Sequence, residues 1–200
     1  MSSTLSPVTG SAVGRGALSA SGDDHWRLLS QIAELRTPWL SVFGERLRDE
    51  SGHELEYWRI ERPDSLIVVT VHRGRLILPA PSYRPGVARV TLDLAGGRLR
   101  HASTIPETAR EIVRREFDLP GEEGAAVQSV LNPDGWDVDS SVSTQRLFGV
   151  SLELADGVDL PASRVGASYP ATPKGGMEAL RSLACVQCRA VLSEWVAQIG

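Results

Sequence analysis

Lysine is almost missing from this chain: of 21 basic residues only Lys174 is a lysine, and the other 20 are arginines. Arginine is the better residue for bidentate contact with carboxylate or phosphate, although a GC-rich coding sequence gives the same bias. Cysteine is nearly as scarce. Cys185 and Cys188 are too few for a secreted disulfide framework and fit a reducing compartment. Long apolar runs are absent too: the longest, Leu66 to Val71, falls far short of the roughly 20 residues that span a bilayer. The first residues hold no apolar signal core, so we expect a cytoplasmic protein with no membrane partner. There is no excess of positive charge, since the net charge is −4 and no segment forms a basic tail. Nucleic acid is therefore not an expected partner.

What is present is an ordinary globular composition, 42% hydrophobic and 23% charged over 200 residues, enough for one domain with a sizeable core and a small appendage. Residues 1–22 carry six serines, four glycines and one charge, Arg15, with no apolar periodicity, and we expect a disordered tail. From Asp24 to Leu35, Trp26, Leu29, Ile32, Ala33 and Leu35 recur near helical spacing, which predicts a short helix ended by Pro38. Trp39 to Arg62 reads as a β-hairpin about Asp49-Glu50-Ser51-Gly52, and Leu66 to Leu78 as a second, more buried hairpin. Residues 23–62 thus form a helix-and-hairpin region, and 63–200 the main domain.

Within that domain Val90 to Leu94 is a further strand, ended by Gly96-Gly97. Thr104-Ile105-Pro106-Glu107 is a capping box with proline in the first turn, so a helix starts there, with Ile105, Ala109, Ile112, Val113 and Phe117 as its apolar stripe. Strands follow at Val127 to Leu131 and Leu147 to Leu154, around a polar loop from Asn132 to Gln145 long enough to suggest function. After a Pro/Gly-rich connector, 161–176, one helix is expected to run from Met177 to Ile199.

This order of elements resembles the Nudix fold, and the wording resembles its ADP-ribose/ADP-sugar pyrophosphatase branch. The resemblance is carried by Pro38-Trp39-Leu40, Ile60-Glu61-Arg62-Pro63-Asp64, Ser82-Tyr83-Arg84-Pro85-Gly86-Val87 and Asp93-Leu94-Ala95-Gly96-Gly97. It implies an α+β fold: a Nudix α/β/α sandwich with a mixed sheet, preceded by a small N-terminal β-hairpin domain that is exchanged across a homodimer. It also implies a ligand site at Tyr83, Arg84, Ala95, Gly96 and Gly97, with a nucleotide-sugar-like or phosphorylated small molecule as partner.

The family's box of paired glutamates, which holds divalent ions, is degenerate here. Counted from Gly96, Arg110-Glu111-Ile112 fits, but Arg114-Arg115 stand at the Glu-Glu pair and Phe117 at the box glycine. A register shifted to Glu107 and Arg115-Glu116-Phe117 puts Leu119 and Pro120 at the ligand positions. The acid of the later loop has become Gln145, which is no general base and a poor ligand for a hard cation. Two guanidinium groups in place of two carboxylates favour an anion over Mg²⁺, so Arg114 and Arg115 become candidate ligand-binding residues beside Gln145.

We therefore expect no cofactor and no metal, with Glu107, Glu111, Asp137 and Asp139 as remnant candidates. If the protein remains an enzyme, Glu111 and Glu116 are its candidate catalytic residues, with Mg or Mn. A solvated helix face with Glu111 paired to Arg114 or Arg115 accounts for the same residues. In the loop, Trp136 is a candidate aromatic platform for a base or ring. Cys185 and Cys188 form a C-x2-C with no histidine or third cysteine nearby, so zinc would need a second chain, and we read them as buried helix cysteines. The four histidines are scattered and are assigned no chemistry.

Overall fold

The computed structural model describes residues 26–99, 104–121 and 124–200; the expected tail, 1–22, lies outside them. The chain divides into two units, residues up to 35 with 42–59, and residues 36–41 with 60–200.

The first unit is built on a three-stranded sheet in the order β1 (Arg27–Arg36), β2 (Ser41–Arg48) and β3 (Glu54–Glu61). The hairpin β2–β3 is as expected. The preceding segment is a strand and not a helix, because its backbone groups are met by pairing with β2 rather than within the segment. Its apolar side chains, Leu28, Leu29, Ile32 and Leu35 among them, remain exposed. Within the sheet the buried Glu45 receives two hydrogen bonds of 2.9 Å from Arg59, whose guanidinium also lies over the Phe43 ring.

The second unit starts its main sheet with β4 (Ser65–His72) and β5 (Arg75–Pro79). They are joined by Arg73-Gly74, both at positive φ, the two-residue turn whose twist matches the strands. A small pair, β6 (Ser82–Arg84) and β7 (Arg89–Thr91), precedes β8 (Ala95–Arg98). The capping box then opens α1 (Ile105–Phe117) as expected, with both reciprocal hydrogen bonds present and Asp118 in the left-handed conformation at its end. After α1 come β9 (Ala125–Val130), β10 (Trp136–Asp137) and β11 (Arg146–Leu154), then β12 (Val165–Pro170), α2 (Pro173–Ser182) and α3 (Val186–Ile199).

The sheet runs β10-β11-β4-β5-β12, with β8 also pairing β4 and β9 also pairing β11. β11 is parallel to β4, and the other pairs are antiparallel, so the sheet is mixed. Side chains alternate across a strand, and both faces of β4 are buried, which explains its nearly continuous apolar run. Leu66 and Val68 meet Ala109, Ile112, Val113 and Phe117 of α1. Ile67 and Val69 meet Leu180, Val191, Leu192 and Trp195 of α2 and α3. The result is an α/β/α sandwich.

Two C-terminal expectations are corrected. β12 occupies part of the connector 161–176, ordered by antiparallel pairing with β5. The single C-terminal helix is two, because Leu183 is extended and breaks it. Arg189 of α3 reaches back to the carbonyls of Leu180 and Leu183, meeting acceptors that the end of α2 leaves open.

Candidate functional site

A cavity of about 480 Å³ opens in the second unit, over β4, β6–β8 and the start of α3. Its lining contains four arginines, Arg62, Arg84, Arg89 and Arg98, against one carboxylate, Asp93. Arg84 Nε donates to Asp93 Oδ2 at 2.9 Å, and Thr91 donates to the same oxygen at 2.8 Å. Arg98 stacks 4.4 Å from the centre of the exposed Trp39 ring, so a flat, cationic wall stands at the mouth. Among the described residues the guanidinium groups of Arg62 and Arg89 have no hydrogen bond or ion pair.

Gln145 also lines the cavity, held by hydrogen bonds from its Nε2 to the Pro63 carbonyl and the Ser65 hydroxyl. Its Oε1 is buried with no partner, as is Asp93 Oδ1. Two acceptors are therefore left unmet in a wall otherwise rich in donors, which is costly unless something donates to them.

Of the residues singled out from sequence, the cavity brings together Arg84, Gly96, Gly97 and Gln145. Ala95 is buried behind them, and Tyr83 on β6 is exposed and outside the lining. None of the α1 candidates, Glu107, Glu111, Arg114, Arg115 and Glu116, is among the lining residues. Glu107 is taken by the capping box: hydrogen bonds from the backbone and side chain of Thr104 hold its carboxyl below the usual range. Arg115 donates to the Gly96 carbonyl and to Glu116, both at 2.9 Å. A Cβ at Gly97 would stand 3.0 Å from the Ile112 side chain of α1, which would have to give by a few tenths of an ångström.

In the loop, Trp136 packs against the core beside Val138. Asp137 faces Arg146 in register across β10–β11. Asp139 accepts from the hydroxyl and N–H of Ser141, which lowers its pKa.

Sequence reasoning missed Arg89 and Arg98 in this lining altogether. Trp39, Arg62 and Asp93 were legible only as parts of a resemblance, and Asp93 and the cysteine pair meet across 92 residues of chain. Cys188 is a buried helix cysteine as expected, but Cys185 is only partly buried and forms the N-cap of α3. Among the described residues, Asp93, Cys185 and Cys188 are the only group of three or more His, Cys, Asp or Glu side chains close enough to share an ion, with their ligand atoms within 4.8 Å of one another. The Cys188 thiol donates to Cys185, pulling the Cys185 pKa down to about 6 against the upward effect of burial. The backbone N–H groups of Cys188 and Gln187 add to that lowering. The same bond and its own burial push Cys188 up.

This architecture is that of the Nudix sandwich: an α+β fold with a mixed sheet between helices, preceded in the chain by a small three-stranded β unit that contains the expected hairpin. The chain is similar to a crystal structure of an ADP compounds hydrolase, with a TM-score of 0.68 over 90% of this chain and 99% of that one, at 17% sequence identity. No protein-family model and no curated protein sequence matches the chain.

Proposed function

We propose that the protein binds a nucleotide-sugar-like or phosphorylated small molecule in this cavity and does not hydrolyse it by the Mg-dependent route of the branch it resembles. The observation that carries the reading is the cavity wall, four arginines to one carboxylate, in a volume suited to a small organic ligand. Arg62 and Arg89 supply donors for phosphate oxygens, and the Trp39 face suits a planar base. Gln145 Oε1 would accept from a ligand hydroxyl or amino group.

The residues present do not fit the Mg²⁺ or Mn²⁺ pair implied by the Nudix resemblance. Arginines stand where the paired glutamates belong, Glu107 caps its helix, and no α1 carboxylate lines the cavity. Glu111 and Glu116 remain the candidates for a hydrolase reading.

The exposed apolar residues of β1 support a homodimer built through the N-terminal sheet, and light scattering of the full chain should give twice the monomer mass. The scarcity of cysteine supports a cytoplasmic location.

The direct test is nucleotide or phosphate release from nucleoside diphosphate sugars, ADP-ribose included, with Mg²⁺, Mn²⁺ or EDTA. We expect no metal-dependent turnover, together with a rise in melting temperature on adding ADP-ribose. Turnover that needs Mg²⁺ and is abolished by Glu111→Gln would instead make this a Nudix hydrolase with substitute ligands.

A further inference from the structure

The floor of the cavity holds a feature that neither phosphate binding nor the Nudix box uses. Cys185 is the N-cap of the 14-residue helix α3, Cys188 lies one turn in, and Asp93 approaches from the segment before β8. All three line the cavity. The Asp93 side chain is nine-tenths buried. Oδ2 is committed to Arg84 and Thr91, while Oδ1 accepts nothing. A buried carboxylate oxygen without a donor, set against two sulfurs that bind metals as thiolates, lacks a positive partner that a cation between the three groups would supply.

We infer that Asp93, Cys185 and Cys188 form a binding centre for one borderline-soft divalent cation of the zinc type, with its fourth position open to the cavity. Ligand atoms within 4.8 Å of one another need draw in by no more than about 1 Å for tetrahedral coordination, in which metal–sulfur bonds of ~2.3 Å and metal–oxygen bonds of ~2.0–2.2 Å put neighbouring ligands under about 4 Å apart. Two thiolates select Zn²⁺ over Mg²⁺, which takes hard oxygen ligands.

The surroundings are those of a supported thiolate centre. The positive end of α3 favours anionic ligands at its start. Arg84 and Thr91 orient Asp93 from behind, as outer partners do in metal sites. Three protein ligands with a free fourth position are the arrangement that lets a metal take water or an anionic oxygen of a cavity ligand. The centre does not depend on what that ligand is, so it stands or falls apart from the proposal above.

The test uses the full chain, reduced, stripped with chelator and titrated with Co²⁺ alone, then displaced with Zn²⁺. We expect one ion per chain, a sulfur-to-cobalt charge-transfer band, and protection of both thiols from a disulfide reagent. Cys185→Ser should remove the charge-transfer band or leave a weaker one. Thr91→Val keeps all three ligands but loosens Asp93, and should weaken Co²⁺ binding by about 10- to 100-fold. Asp93→Asn should weaken it at least as much, with melting of the metal-free variant showing that it is folded. No charge-transfer band in the reduced wild type at millimolar Co²⁺ would overturn the proposal. So would a band that both Asp93→Asn and Thr91→Val leave unchanged.

Discussion

The outer side of α1 and the wall of the cavity are written in the same residue types, arginine beside carboxylate, and spend them differently. On α1, Glu107 closes the capping box, Arg110 bonds the Ala125 carbonyl, and Arg115 ties Glu116 to Gly96. These charges are consumed in fixing a helix to its neighbours. In the cavity, Arg62 and Arg89 are unpaired among the described residues, and Asp93 Oδ1 and Gln145 Oε1 receive no donor. Folding leaves those groups with desolvation to recover, and a ligand or ion is what can supply it. Motif spacing points to the first region, whereas unmet polar groups point to the second.

The comparison breaks most plainly if α1 is not primarily structural. Phe117 is fully buried against Leu66, Val68 and their neighbours. Phe117→Ala should cost about 3–5 kcal/mol, read as a lower denaturant midpoint at unchanged slope. A loss below about 1 kcal/mol would mean that this face collapses to fill the void or is loosely packed.

A second set of variants sharpens the cavity side. Arg62→Ala and Arg89→Ala should each weaken ADP-ribose binding by about 10- to 100-fold, the scale of one charge-assisted hydrogen bond, and leave the melting temperature nearly unchanged. Arg84→Ala should lose affinity and stability together, since it leaves the Asp93 carboxylate with Thr91 as its remaining donor. Calorimetric titration and thermal melting on the same three proteins separate the outcomes. Equal losses of stability in all three would remove the distinction between free and committed arginines.

How much of this was legible in the sequence depends on the range of the interactions. The capping box and apolar stripe of α1 are local, and the helix runs as they indicate, from Ile105 to Phe117. The turn at Arg73-Gly74 is equally local, and its hairpin is where it was expected. The segment before Pro38 has apolar residues at spacing that suits a helix, but pairing with β2 decides it as a strand. β12 was hidden in a Pro/Gly-rich stretch because its partner, β5, lies about 90 residues earlier. The break between α2 and α3 falls at the extended Leu183, inside an apolar pattern that continues across it, so periodicity does not record it. The candidate site follows the same rule. Arg84 and the two glycines could be marked from their wording, but Asp93 could not be joined to Cys185 and Cys188 by any spacing.

The smallest expected effect lies at the N-terminus of α1, where the local reading can be tested directly. Thr104 accepts from the Glu107 N–H while Glu107 accepts from the Thr104 N–H. Thr104→Ala should cost about 0.5–2 kcal/mol in chemical denaturation. The Glu107 contribution has a definite sign with pH. Its folded pKa is lowered from 4.5, so its stabilisation is complete above that value and is lost as pH falls through the lower, folded one. Melting temperatures of wild type and Glu107→Gln should therefore differ most near neutrality and converge in acid. A difference that stays constant down through the carboxylate range would show that the Glu107 charge plays no part in holding the cap, leaving α1 anchored by its buried face alone.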